Sequence, residues 1–283
     1  MIRGSYCLTG SDVEKFSAYL LAQEKAKSTI QKYAHDLNAL LEYLNGGALT
    51  KEVLLRWKEH LSETLAPASV NSMLAAVNGF FIFVGWRELL VKPLKIQKCM
   101  FREEQKELTF AEYTRLVEAA KRKGNRRLML VLETICSTGI RVSELRFITA
   151  EAVRTGRAEI INKGKHRLVF LPEKLCRLLK SYLQKQKITA GAVFVTKNGK
   201  PLDRSNIWRD MKKLCESAGV EPGKVFPHNL RHLFARTFYS LEKDLSRLAD
   251  ILGHSSVNTT RIYTMECGNI HARQVNRLGL VLN

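Results

Sequence analysis

Helical periodicity most constrains the fold of the first ninety residues. Across residues 28–46, apolar side chains recur every three or four positions, the spacing of one helix face: Ile30, Tyr33, Leu37, Leu40, Leu41 and Leu44. Three similar segments surround it. Residue types that begin helices precede the four segments: Ser11 with Glu14 as a capping box, Ser28, Thr50 and Ser69. Pro67 separates the last two segments, and Gly46 and Gly85 end helices. We therefore predict a four-helix unit over residues 1–90.

The remaining sequence predicts a linker and a mixed second domain. Residues 91–107 are polar and charged, which is typical of a linker. Beyond it, Thr109 and Glu112 form another capping box, and helical patterns continue from Ser205. Residues 158–161 and 166–171 are short β-type runs around a turn, with Gly164 at its positive-φ position. Residues 192–196 are a candidate third strand. The predicted fold class is mainly α with a small β-sheet, the second domain covering residues 108–283.

Positive charge is concentrated in the second domain. The chain has 46 Lys and Arg against 27 Asp and Glu, a net charge of +19. Residues 1–107 carry 14 basic and 12 acidic residues, whereas residues 108–283 carry 32 and 15. This asymmetry favours a nucleic-acid partner, because each neutralised phosphate releases counterions. A basic surface kept for solubility, or for ribosomal or membrane contact, is the alternative.

Several function classes are disfavoured. The longest apolar run, residues 74–86, is broken by Asn78, Gly79 and Gly85, and we expect no membrane span. The first residues lack a secretory signal pattern, so we expect a cytoplasmic protein. The six cysteines lie at least 37 residues apart, without zinc-ligand spacing. No HExxH, phosphate-binding glycine loop or GxSxG motif occurs. We therefore expect no metal and no cofactor.

Four clusters carry candidate chemistry. In residues 137–145, Gly139 can end one helix and Ser143 can begin the next, leaving Arg141 on the turn between them. Because its neighbours are apolar, a partly buried Arg141 would need an anion, either Glu144 or a phosphate. An ordinary surface cation is the alternative.

The second cluster lies at the hairpin: Lys163, Lys165 and Arg167. A lysine at a turn can act as a general acid or neutralise phosphate, although most such lysines do neither. In the third cluster, residues 227–236, His228 and Arg231 are three residues apart and share one helix face, a pairing that suits a phosphate oxygen. His232 points about 100° away from that pair, so we predict a structural role for it.

The fourth cluster covers residues 248–264. Gly253 is predicted to end a helix, His254 to lie in the break, and Ser255 or Ser256 to cap a short helix that carries Tyr263. A lone helical tyrosine usually serves only packing.

Taken together, TGIRVSEL, the KG turn, HNLRH and LGHSSVNTTRIY resemble the tyrosine recombinase (phage integrase) family in order and spacing, most closely its short Xer-like members. STIQKYAHDLNALLEYL is similar to the family's core-binding region. The resemblance implies a helical, SAM-like DNA-binding domain and an α+β catalytic domain that form a C-shaped clamp.

The resemblance also implies residue roles. Arg141 and Arg231 would bind the phosphate, and Glu144 would orient Arg141. The other implied catalytic residues are Lys163 in the hairpin, His228, His254 and the nucleophile Tyr263. Asn162 stands where the family often has glycine, and the turn is about one residue shorter, so Lys163 and Lys165 both remain candidates; the KG context favours Lys163.

The implied function is site-specific DNA recombination through a 3′-phosphotyrosine and a Holliday junction. The implied partners are double-stranded DNA at a specific core site, a homo-tetramer or a hetero-tetramer with a paralogue, and accessory DNA-bending proteins. The role would be resolution of dimers or transposon cointegrates, or integration of a mobile element. The apolar tail, residues 267–283, would dock on a neighbouring subunit or pack on its own domain. A type IB topoisomerase-like enzyme and a catalytically inactive DNA-binding protein are the alternatives.

Overall fold

The computed structural model divides the chain into two compact units, Met1–Lys98 and Cys99–Asn283. It describes residues 6–96, 106–162, 165–196, 198–254, 256–263 and 276–278, without the side chains of residues 162 and 165. Each unit has its own hydrophobic core.

Unit 1 consists of the four expected helices followed by a single 3₁₀ turn. The helices are α1 Gly10–Ala22, α2 Lys27–Leu44, α3 Lys51–Thr64 and α4 Pro67–Val84, and the turn is Arg87–Leu89. Their inward stripes meet in one core, in which the largest fully buried side chains are Phe16, Leu37, Trp57, Phe80 and Phe81. The helical periodicity therefore predicted this unit correctly.

Three helix starts differ from the prediction. Helix α2 follows Ala26, which makes no side-chain capping hydrogen bond, and Ser28 lies inside the helix. Thr9 and Asp12, not Ser11 and Glu14, form the capping box of α1, with the Thr9 N–H donating to Asp12 Oδ2 at 3.0 Å. Helix α4 begins at Pro67 instead of Ser69. Proline suits the first helical position, because the N–H that it lacks would have no partner there.

Helix α4 also fixes the start of the predicted linker. The Asn78 side chain exchanges two hydrogen bonds with the backbone of Val91, and Asn71 does the same with Leu94. Val91 is buried in the unit 1 core. α4 is long and apolar enough to cross a membrane by composition alone, a property that core helices share; its buried residues contribute to the core of unit 1.

Unit 2 contains nine helices and one hairpin among its described residues. The helices are α5 Phe110–Arg122, α6 Arg126–Thr138, α7 Ala150–Thr155, α8 Glu173–Gln186, α9 Arg204–Lys212, α10 Cys215–Ala218, α11 Pro227–Glu242, α12 Leu245–Leu252 and α13 Val257–Thr260. The 3₁₀ turns are Val142–Phe147, Pro222–Lys224 and Arg261–Tyr263. The capping box of Thr109 with Glu112 begins α5 as predicted.

The predicted hairpin is present as β1 Arg157–Asn162 and β2 Lys165–Phe170, which pair antiparallel. The candidate third strand is not formed: residues 192–196 make only isolated bridges, Thr149 to Ala192 and Val195 to Pro201. Val193 and Phe194 are buried, but the backbone partners of this segment lie in different loops, Ile148 on one side and Leu202 on the other. Burial without a continuous partner strand explains the β-like composition.

Candidate active site

The turn after α6 positions Arg141. Gly139 ends α6 with φ of +65°, and a Cβ there would lie 2.4 Å from the Phe234 ring, so backbone conformation and packing both require glycine. Arg141 then caps the 3₁₀ turn Val142–Phe147. Its side chain is 39% exposed. Arg141 is therefore a half-exposed guanidinium on a rigid turn, as the sequence predicted.

Glu144, a buried residue of the same 3₁₀ turn, is shared by two arginines. Its Oε2 accepts the Arg141 backbone N–H at 2.8 Å and Nη2 of Arg167 at 2.7 Å, while Oε1 accepts Arg141 Nη1 at 3.1 Å. A buried carboxylate is stable only when it is paired and hydrogen-bonded, a requirement that these bonds satisfy. Glu144 thus orients Arg141 and offsets part of the positive charge around it.

Arg231, on the first turns of α11, is almost completely buried. It donates from Nη1 to the Gly139 carbonyl at 2.5 Å, and from Nη2 to the Leu252 carbonyl at 2.8 Å. Burial, and after it the charge of Arg141, lower the pKa of Arg231 to about 10, although Tyr263 opposes both effects. These bonds tie the end of α6, α11 and the end of α12 to one guanidinium.

His254 follows the glycine that ends α12 and is neutral near pH 7. Its Nε2 lies 2.9 Å from Arg231 Nη2, which can only donate, so Nε2 accepts and the proton resides on Nδ1. Nδ1 then donates to Thr260 Oγ1 at 2.8 Å. Burial and the nearby arginines, Arg231 first among them, together lower the pKa of His254 to about 4.

Tyr263 lies in the 3₁₀ turn Arg261–Tyr263, just beyond α13, and is only 4% exposed. It packs with Ala235, Leu248 and Leu252. Its ring is nearly parallel to that of His254, with centroids 6.0 Å apart, and perpendicular to that of His232 at 4.8 Å. Hydrogen bonding to Tyr263 raises the pKa of Arg231, which places the phenol beside the guanidinium.

A continuous set of contacts joins most of the candidate residues. Arg141 contacts Glu144; Arg231, His254 and Tyr263 contact one another; and the exposed His228 packs its ring 4.5 Å from that of His232. Lys163 lies outside the described residues, as does the side chain of Lys165. The structure describes the strands on both sides of their turn.

For two residues, sequence reasoning did not predict the tertiary partners. His232, predicted to be structural, contacts both His228 and Tyr263. Arg167 pairs across the hairpin with the buried Ile160 and reaches Glu144 from the inner face of β2. The alternation Arg167, Val169, Leu171 was the available signal, because it places an arginine on an otherwise apolar face.

The side chains of this site define the chemistry that it supports. The guanidinium and imidazole groups can bind an oxyanion, and the phenol can act as a nucleophile. Within the described ranges, no group of three His, Cys, Asp or Glu side chains could hold a metal ion.

Comparison with known proteins gives two family matches. Residues 106–267 match the phage integrase family, and residues 13–88 match the phage integrase N-terminal SAM-like domain. The chain is 30% identical to tyrosine recombinase XerA of Pyrococcus furiosus, with 96% of this chain and 95% of the relative covered. It is 29% identical to tyrosine recombinase XerD of Vibrio cholerae, with 84% and 86% covered.

Solved structures share the fold. A XerH site-specific recombinase bound to its difH substrate matches with a TM-score of 0.70 and 22% identity, covering 95% of this chain and 84% of that one. A lambda integrase dimer bound to a COC′ core site matches with a TM-score of 0.74 and 17% identity, covering 92% and 77%. At these identities the likeness concerns the fold alone.

Proposed function

The chain belongs to the phage integrase family of tyrosine recombinases, and from this premise we propose how its residues divide the work of cleaving and rejoining DNA. It is a site-specific recombinase that acts through a 3′-phosphotyrosine intermediate, without metal or ATP. The observation that carries the assignment of roles is the contact between Arg231, His254 and Tyr263, which brings a phosphate-binding group to a nucleophile.

Arg141 and Arg231 bind the scissile phosphate in this proposal. The transition state of phosphoryl transfer spreads negative charge over the non-bridging oxygens, which fixed cationic donors stabilise. Only Nη1 of Arg141 is engaged by Glu144, and the side chain is 39% exposed, so its other N–H groups can reach a phosphate oxygen. Arg231 is held by carbonyl acceptors, which keep it charged and immobile.

The histidines complete the phosphate site. His254 is neutral, and its single proton is on Nδ1, so we assign it hydrogen bonding and orientation instead of proton abstraction. His228 is exposed at the first turn of α11, where it can donate to the same phosphate. Tyr263 attacks phosphorus as its proton passes to water or to a neighbouring histidine other than His254.

Lys163 is the proposed general acid. As the bond from the Tyr263 oxygen to phosphorus forms, the bond to the 5′ oxygen breaks, and Lys163 gives that oxygen a proton. The ester energy is retained in the phosphotyrosine, so a 5′-hydroxyl from another strand can reverse the step. Repetition between two duplexes exchanges the strands through a Holliday junction.

A nicked suicide substrate tests the assignment of the nucleophile. Cleavage of such DNA releases a short fragment that bears the new 5′-hydroxyl and traps the covalent protein–DNA adduct, which gel electrophoresis detects. We expect an adduct with the natural protein and none with Tyr263→Phe. An adduct that persists in Tyr263→Phe would contradict the assignment. A recombinase joins two different duplexes, whereas a topoisomerase only relaxes supercoils, so an assay for joining distinguishes the two. Family membership disfavours the topoisomerase alternative.

We propose that four copies assemble on two duplexes in the cytoplasm. Lambda integrase has been solved as a tetramer bound to a Holliday junction. The apolar tail, residues 267–283, lies outside the described residues apart from residues 276–278. We propose that it docks on a neighbouring copy. Deleting the residues after Arg273 should reduce recombination but leave DNA binding by a single copy intact; unchanged recombination would refute the docking.

A further inference from the structure

An arginine outside the assigned set occupies the inner face of the hairpin. Arg167 pairs with Ile160 across the two strands and shares a face with Val169, and both of these neighbours are buried. The Arg167 side chain is itself only 13% exposed. A charged side chain on the buried face of a strand is costly unless it is paired with a counter-ion and hydrogen-bonded.

Arg167 shares one hydrogen-bond acceptor with each of the two phosphate-binding arginines. Its Nη2 donates to Glu144 Oε2 at 2.7 Å, and the other oxygen of that carboxylate holds Arg141. Its Nη1 donates to the Leu252 carbonyl, which also accepts from Arg231 at 2.8 Å. One side chain therefore joins strand β2 to the supports of Arg141 and Arg231.

The end of α12 is shaped to admit this side chain. Gly253 has φ of +66°, and a Cβ there would lie 2.4 Å from Nη1 and 2.8 Å from Cδ of Arg167. Burial and the charge of Arg141 lower the pKa of Arg167, whereas Glu144 raises it. Arg167 therefore lies in a confined space, where its ion pair with Glu144 opposes the cost of its desolvation.

The hairpin depends on such an anchor. A two-stranded sheet is marginal by itself, and the outward side chains Ile161, Leu168 and Phe170 are exposed. The inward contacts come from Ala158, Ile160, Arg167 and Val169. Of these, Ile160 and Arg167 form the pair nearest to the turn of residues 163–164.

We propose that Arg167 is a positioning residue that holds the turn carrying Lys163 in register with the phosphate-binding arginines. The inference rests on the proposed role of Lys163 as the general acid. Arg167 would not touch the reacting atoms; it would act through the hairpin, so its loss should impair departure of the 5′ oxygen more than phosphate binding.

A substrate with sulfur in place of the bridging 5′ oxygen tests this coupling. A thiolate leaves without a proton, so cleavage of that bond does not need the lysine. With nicked oxygen DNA, we expect Arg167→Ala to cleave on the order of 100-fold more slowly than the natural protein, the scale of a lost general acid. With sulfur DNA, we expect rates within about threefold of the natural protein.

Three variants are controls. Lys163→Ala should show the same rescue by sulfur, and Arg231→Ala should be slow on both substrates because the phosphate contact is lost. Arg157→Ala removes an exposed arginine at the far end of the same hairpin and should leave both rates unchanged. Arg167→Lys can restore one of the two hydrogen bonds, and we expect an intermediate oxygen rate with the same rescue.

The outcomes separate the two proposals. If sulfur fails to rescue Lys163→Ala, the general acid is misassigned and this inference fails with it. If sulfur rescues Lys163→Ala but neither Arg167→Ala nor Arg167→Lys, only the positioning role is overturned. Full oxygen activity in Arg167→Ala would overturn it as well. A thermal melt matching that of the natural protein shows that each variant is folded. If Arg167→Ala does not fold, the rates of Arg167→Lys decide whether Arg167 has the positioning role.

Discussion

The cores of the two units bury different kinds of side chain. Among its described residues, unit 1 buries one charged side chain, Asp36, which pairs with Lys32 one helical turn away. Unit 2 buries Glu144 and Arg231 and partly buries Arg167. Unit 1 has 12 basic and 9 acidic residues, and unit 2 has 34 and 18. Packing can account for the stability of the first, whereas the second retains buried charges that packing alone would not select.

Removing Arg231 should give the largest effect on activity. Arg231→Ala removes the donor to the Gly139 carbonyl, one of the two arginine donors to the Leu252 carbonyl, and the proposed phosphate contact. We expect strand cleavage to fall by roughly 10²–10³-fold, and unit 2 to lose about 3 kcal/mol of unfolding free energy or more. Single-turnover cleavage and urea titration measure the two effects. A variant that cleaves normally would show that this buried charge serves structure alone.

Removing Trp57 is the matching change in unit 1. This buried side chain lies in the hydrophobic core of unit 1, and truncation to alanine should lower the unfolding free energy of unit 1 by roughly 3–5 kcal/mol. We expect hydrogen exchange to accelerate in α1–α4 while amides of unit 2 keep their protection. Equal loss of protection in both units would show that they unfold together and would weaken the comparison.

Two glycines with left-handed backbone conformation, one in each unit, allow a direct comparison of how closely each unit packs around such a position. Gly85 in unit 1 and Gly253 in unit 2 both have positive φ, but a Cβ meets nothing within 4 Å at Gly85 and meets Arg167 at Gly253. Gly85→Ala should cost only the backbone strain, roughly 1–2 kcal/mol, without loss of cleavage. Gly253→Ala should cost more stability and slow cleavage about tenfold or more, since it displaces the arginine. Similar kinetics for both variants would contradict this difference.

The smallest effect concerns pH. The pKa of His254 is lowered to about 4 in the folded protein, below its value in the unfolded chain. The unfolded chain therefore binds the proton more readily, and the stability of unit 2 should fall as pH drops from about 6.5 towards 4. His254→Gln should reduce this slope in urea titrations at pH 7, 5.5 and 4.5. An unchanged slope would mean that His254 is not held neutral.

The structure of unit 1 could be predicted from the sequence more fully than the tertiary contacts of unit 2. Apolar spacing was enough to predict α1–α4, because unit 1 is built from local periodicity and packing. In unit 2, Gly139 and Gly253 marked the turns beside Arg141 and His254 correctly. The partners of Arg167 and His232 were not predicted because these contacts link residues far apart in sequence, such as Glu144 with Arg167 and His232 with Tyr263. Local spacing gives a residue's helix face or strand face but not its tertiary partner.

The sharing of Glu144 has a thermodynamic consequence for the working enzyme. Arg141 and Arg167 both bond to this carboxylate, and both lower the pKa of the nearby Arg231. The native state therefore concentrates positive charge that the unfolded chain disperses. An oxyanion bound among these groups offsets the repulsion and stabilises the native state according to its concentration and affinity. DNA is then a folding ligand of unit 2 as well as its substrate, and the melting temperature of the free protein understates the stability of the occupied complex.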